Sequence, residues 1–233
     1  MLSIQNLNQF YGQSHTLWDL AVDIEKGACT VLMGRNGVGK TTLLQCIMGL
    51  LPTRSGSILF GDQKKDLTKQ VAELRSRCGI GYVPQGRQIF PLLTVEENLR
   101  IGLAAARGNN KDVPELIFQL FPVLKEMLGR RGGDLSGGQQ QQLAIGRALV
   151  LNPDFLILDE PTEGIQPNIV QEIGQIIRRL NSEFGLTVLI VEQKLPFARM
   201  VADNFFIMDR GRCVEQGKIA QLNDQMVKEY LTV

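Results

Sequence analysis

The chain has 233 residues and a formal net charge of +1, with 44% hydrophobic and 21% charged residues. That is enough chain for one sizeable core, and the near-neutral balance argues against a nucleic-acid partner held by charge. No stretch approaches the about 18 apolar residues a membrane span needs, so any service to a membrane is expected from the cytosolic side, through a partner. The opening residues lack a basic region followed by an apolar one, and no signal peptide is expected. Cys29, Cys46, Cys78 and Cys213 form no C-x-x-C, and with His15 as the only histidine they read as buried free thiols, not a zinc set.

Leu2, Ile4 and Leu7 open a first strand, and Leu20, Val22 and Ile24 alternate in a second. Residues 29–33 are a short apolar run of the buried-strand kind, followed by a glycine-rich turn. Helical spacing covers 41–48 and stops at Gly49; short strands are expected at 56–60 and 79–83. Residues 91–130 change character: 95–103 and 113–128 carry apolar residues at i, i+3 and i+4, which predicts a helical insert. A helix over 140–151 leads to strand 155–158, helix 169–180, strand 187–191, helix 195–202 and strand 205–208. This alternation predicts an α/β fold with a parallel sheet covered on both faces.

The turn, Gly34-Arg35-Asn36-Gly37-Val38-Gly39-Lys40-Thr41-Thr42, fits G-x-x-x-x-G-K-[ST] between a strand and a helix. Glycines let successive N–H groups curl toward a phosphate, and the helix adds its positive end. Lys40 brings a cation to the β- and γ-phosphates, and the Thr41 hydroxyl can ligate Mg²⁺. The competing reading is a plain glycine turn that caps a helix. Strand 155–158 ends in Asp159 and Glu160, and a strand that buried should not end in two acids without a use for them. Asp159 is placed to hold Mg²⁺ and Glu160 to polarise an attacking water, the alternative being acids that cap the next segment. Ser136-Gly137-Gly138-Gln139 opens the 140–151 helix as a second anion-binding helix start. Capping alone would not ask for Gly-Gly-Gln there.

With LSGGQ (135–139) about twenty residues before LILDE (156–160), the chain resembles the ABC ATPase family over essentially its full length. The resemblance implies a P-loop NTPase of ABC type: a RecA-like core at about 1–85 and 150–233, an antiparallel β subdomain, and a helical insert at about 86–149, together one ATP-binding domain. It implies ATP and Mg²⁺, and a head-to-tail dimer in which Ser136 to Gln139 of one subunit close over ATP held by the other, with Ser136 and Gly138 at the γ-phosphate. Tyr11 matches the aromatic that stacks on adenine, its competing reading being a strand-edge tyrosine. Gln85 matches the glutamine that senses Mg²⁺ and the lytic water.

Two positions depart from the family pattern. Where many members carry a switch histidine, this chain has Gln193, which donates an amide N–H but takes no proton at neutral pH; His15 is expected on the surface between two strands, unable to substitute. Hydrolysis is therefore expected to depend on Glu160, with Gln193 positioning. The aspartate usual in the loop after Glu160 is replaced by Gln166. Both departures resemble the ATP-binding subunits of branched-chain amino acid and urea importers. The stretches 34–40, 120–124 and 130–142 favour urea over branched-chain amino acids. The implied partners are a second ATPase subunit, transmembrane permeases that dock at the insert near 86–91 (the competing reading of that groove being packed core), and a periplasmic or extracellular solute-binding protein, with the chain peripheral on the cytoplasmic face of the membrane. A soluble ABC protein of translation or repair would bring tandem cassettes or long arms, and a GTPase would bring N-K-x-D; neither is present. An exporter and a non-hydrolysing scaffold stay open.

Overall fold

The computed structural model describes residues 1–106 and 112–231. The first layer is a four-stranded antiparallel sheet. Its hairpin of β1 (Leu2–Tyr11) and β2 (Ser14–Ile24) is followed, after β3 (Cys29–Met33) and α1 (Lys40–Met48), by β4 (Ser55–Phe60) and β5 (Lys65–Asp66), in the order β2-β1-β4-β5. Leu2, Ile4, Leu20, Val22 and Ile24 point inward from this sheet onto α1, where Leu43, Leu44 and Ile47 meet them.

The second layer is six-stranded. After α2 (Ala72–Arg77) come β6 (Ile80–Val83) and the helices α3 (Val95–Ala105), α4 (Glu115–Leu120), α5 (Pro122–Glu126) and α6 (Gly137–Leu149). Then follow β7 (Phe155–Asp159), α7 (Pro167–Phe184), β8 (Thr187–Val191), α8 (Leu195–Val201), β9 (Asn204–Asp209) and β10 (Arg212–Lys218). The order is β10-β9-β3-β8-β7-β6, with only the β9–β10 pair antiparallel. The central strands β3, β7 and β8 are buried at every position because both faces are covered, and most of their residues are apolar. Phe155 and Ile157 of β7 pack toward α1, while Leu156 and Leu158 pack toward α6 and α7.

Three sequence expectations change. The helical spacing over 113–128 is divided between two helices, α4 and α5, with a break at Phe121 (φ −131°, ψ 72°). Pro122 bars the helical conformation from the residue before it and has no N–H to continue the ladder. His15 lies within β2 and is half-buried, stacked between Phe10 and Trp18 at centroid distances of 4.0 and 3.6 Å. Of the four free thiols, only Cys29 and Cys46 are buried, and burial pushes both up to about 12; Cys78 and Cys213 are half-exposed.

The short α2 carries an arginine that no motif singles out. Arg75 is 2% exposed, and its guanidinium donates to the carbonyls of Cys46 (2.6 Å), Ile47 (2.8 Å) and Gln70 (2.8 Å). It thereby satisfies the last carbonyls of α1, the helix that begins at Lys40. Arg75→Ala strips these buried acceptors and is expected to lower the unfolding free energy by about 3 kcal/mol, read as a fall in the urea midpoint.

Candidate active site

Four neighbouring parallel strands, β3, β8, β7 and β6, end on the same edge of the sheet, and each delivers one part of a single site. β3 leads into the loop 34–39 and α1. Gly34 (φ 146°) and Gly39 (φ 104°) adopt backbone that side chains rarely accept, and a Cβ at Gly34 would collide with the Met208 carbonyl oxygen. α1 has no acidic residue in its first turn, so its positive end is left for an anion. Lys40 is 6% exposed and folds back across the loop, donating to the carbonyls of Gly34 and Arg35 at 2.8 Å each. Burial pulls its pKa down, opposed by the charges of Glu160 and Asp159.

β7 ends at Asp159, 2% exposed, with neither carboxylate oxygen hydrogen-bonded among the described residues. Burial pushes its pKa up to about 6, against a weaker opposing pull from the Thr41 hydroxyl. A buried, unpartnered carboxylate beside a threonine hydroxyl is a donor set short of a cation, and it fits Mg²⁺. Glu160 follows at positive φ (48°), a sparsely populated backbone region for a side-chain-bearing residue. Its Oε1 accepts from Gln193 Nε2 at 2.8 Å and its Oε2 from Gln85 Nε2 at 3.2 Å. Gln193, beyond β8, also donates to Asn36 Oδ1 of the loop at 2.7 Å, so one amide spans the cradle and Glu160. Gln85, beyond β6, also donates to Glu163 Oε2 at 3.1 Å.

Tyr11, 48% exposed at the end of β1, lies with its hydroxyl 3.4 Å from Thr42 Oγ1, an open ring face beside the cradle. Residues 34–42, Gln85, Asp159, Glu160 and Gln193 thus come together. Arg35 turns away: its guanidinium donates to the Glu229 carbonyl at 3.2 Å, at the far end of the chain. Ser136, Gly137, Gly138 and Gln139 stand apart, lining a hollow of about 370 Å³ with Val123, Gly164, Gln166 and Ile169, and no cradle residue shares its wall.

Gln139 corrects the expectation that capping would not ask for this sequence. Ser136 Oγ accepts from the Gln139 N–H at 3.3 Å, and Gln139 Oε1 accepts from the Ser136 N–H at 2.9 Å. This is a reciprocal capping box, and glutamine at the third helical position is what it requires. It leaves the Gly137 and Gly138 N–H groups at the helix tip for an outside acceptor. The sequence reading also passed over Glu163, Thr162 and Glu192, although Glu192, like Asp159, stands at the end of a buried and largely apolar strand.

Known proteins resemble this chain in sequence and fold. The ABC transporter family pattern matches residues 17–163. The high-affinity branched-chain amino acid transport ATP-binding protein BraG of Pseudomonas aeruginosa is 39% identical, over 99% of this chain and 99% of that protein. The probable branched-chain amino acid transport ATP-binding protein LivF of Archaeoglobus fulgidus is 36% identical, over 95% of this chain and 94% of that one. Among solved structures, the dimeric post-hydrolysis state of the ATP-binding cassette MJ0796 bound to ADP and Pi superposes with a TM-score of 0.84 at 26% identity, covering 94% of this chain and 99% of that one.

Proposed function

The chain belongs to the ABC transporter family of ATP-binding subunits, and from that premise we propose that it hydrolyses ATP to drive a branched-chain amino acid importer. The observation that carries the catalytic part is the convergence of loop 34–39, Gln193, Glu160 and Gln85 at the ends of four adjacent strands, with one amide bridging the cradle and Glu160.

In this reading the N–H groups of 34–42, Lys40 and the positive end of α1 hold the triphosphate, and the Tyr11 ring lies against adenine. Thr41, Asp159 and Gln85 would hold Mg²⁺. When bound, the metal neutralises charge building on the β- and γ-phosphate oxygens. Glu160 orients the attacking water and takes its proton, while Gln193 and Gln85 hold the carboxylate as an acceptor. Gln193 adds a neutral donor toward the terminal phosphate but no proton chemistry.

Family cassettes act as dimers alongside transmembrane permeases. We read Ser136 to Gln139 as acting on the partner's nucleotide, a reading supported by the separation of their hollow from their own cradle. Whether the partner is a second copy or a related chain does not alter these roles. Among the described residues no helix is long and apolar enough to cross a membrane, in keeping with a peripheral subunit at the cytoplasmic face.

The sequence expectation of urea has less support than its alternative: the full-length similarity to BraG and LivF favours branched-chain amino acids. ATP turnover measured with the cognate permeases and binding protein should rise with leucine, isoleucine or valine. Stimulation by urea alone would overturn the solute assignment.

The segment 86–91 offers a docking face for a permease helix. Phe90 is 44% and Leu92 79% exposed, and Phe90 is propped under the Arg147 guanidinium at 5.1 Å. Asn98, fully buried, fixes the Phe90 backbone from both sides, at 2.9 and 3.0 Å. Phe90→Asp is expected to cut coupled transport at least about tenfold, by putting a charge into an apolar contact, while basal hydrolysis and melting temperature stay near wild type. Parallel loss of basal hydrolysis would reject docking.

A further inference from the structure

Glu192 is a buried acid with no part in the chemistry above. It is 3% exposed, and both its oxygens are taken: Oε2 accepts from the Thr162 hydroxyl at 2.6 Å, and Oε1 from the N–H groups of Gln193 (2.8 Å) and Lys194 (3.0 Å). Thr162 is fully buried, and its carbonyl accepts from Lys194 Nζ at 2.9 Å. One carboxylate therefore joins two loops from neighbouring strands: the loop after β8 with Gln193, and the loop after β7 with Glu160. A third tie runs from the Glu160 N–H to the Val191 carbonyl at 2.9 Å.

Burying a carboxylate costs several kcal/mol unless donors meet it, and a chain needing only a packed core at this place would use an apolar side chain. What the acid provides instead is position. Gln193 is exposed, with a flexible side chain, yet its amide sits 2.8 Å from Glu160. Asn36 Oδ1 holds the tip of that side chain at 2.7 Å, and its root is set by its own backbone, where Glu192 grips the N–H of 193 and of 194.

We propose that Glu192 and Thr162 are a positioning pair that locks the switch-glutamine loop to the loop after Glu160, so that Gln193 and Glu160 keep their register and the segment 161–166 moves only together with the switch. This rests on the reading of Glu160 as the base.

The test uses the full chain and two readouts, ATPase kinetics and affinity for a non-hydrolysable ATP analogue, on Glu192→Gln, Thr162→Val, Thr162→Ser and the double variant Glu192→Gln/Thr162→Val. We expect kcat to fall about 10- to 100-fold in Glu192→Gln and Thr162→Val, with analogue affinity within about twofold of wild type. The double variant should fall no further than the worse single, and Thr162→Ser, which keeps the hydroxyl, should recover most of the rate. Equal kcat in Thr162→Val and Thr162→Ser would overturn the proposal, as would loss of affinity and melting temperature in step with kcat. If Glu192→Gln does not fold, the two Thr162 variants decide alone. Glu160→Gln serves as reference: full turnover there rejects the base assignment and this proposal with it, whereas an inactive reference beside an unaffected Glu192→Gln rejects this proposal only.

Discussion

Glu160→Gln is expected to lower ATP turnover at least about 100-fold while nucleotide still binds. The carboxylate sits between two amide donors, Gln193 Nε2 on one oxygen and Gln85 Nε2 on the other. Both donors present N–H to it, so the side chain is held as an acceptor with lone pairs free for a water proton. A carboxamide at 160 loses that basicity and sets its own NH₂ against one of the two donors, which must then turn away. The positive φ at Glu160 points to a site shaped for this group and not for stability. Gln193→Ala removes a donor but not the base, and its loss should be closer to tenfold. The pair is measured by phosphate release in parallel with analogue titration. Full turnover in the Glu160 variant would reject the assignment.

The second large effect has opposite signs for function and stability. Asp159→Asn should cost at least about 100-fold in Mg²⁺-dependent turnover and yet raise the stability of the metal-free chain. Burial lifts the Asp159 pKa to about 6 from an ordinary 3.8. A group with its folded pKa raised leaves the fold unpenalised at low pH, where both states hold the proton. The penalty builds as pH rises through the interval from about 4 to about 6 and is full above it, on the order of 3 kcal/mol. Asparagine removes it. Unfolding of the metal-free protein should therefore show a wild-type deficit against Asp159→Asn that appears at pH 7 and closes toward pH 4. Mg²⁺ with nucleotide should stabilise the wild type more at pH 7.5 than at pH 5.5, because at the lower pH the metal must displace a proton. A deficit of equal size at pH 4 and pH 7 would show that charge burial is not its source.

The sequence made the cradle and acidic pair legible because their chemistry is written in contiguous residues between elements of clear periodicity. The core strands were legible for the same reason: 29–33, 155–158 and 187–191 are short, largely apolar runs of strand length, with Thr30 and Thr187 as the polar exceptions. What escaped depends on contacts between distant segments. Arg75 looks like any surface arginine in a short helix until its guanidinium meets carbonyls 28 and 29 residues away. Thr162 and Glu192 lie 30 residues apart, and nothing local says that they touch. The α4–α5 break was readable, since Pro122 stands inside the helical pattern, but the apolar spacing on either side masked it. The last strand, β10, alternates half-buried and exposed positions at the sheet edge and carries too few apolar residues to announce itself.

The capping box at Ser136 and Gln139 bears on how such a motor cycles. A helix tip that closes its own end groups is a finished part before any mate arrives. Its ordering entropy is settled when the subunit folds, not each time two subunits meet. Closure over nucleotide then resembles a plug entering a socket, and opening after cleavage discards contacts without unravelling either half. Each stroke begins from the same rest shape, so the free energy of cleavage is left for moving the attached machinery instead of rebuilding the tool.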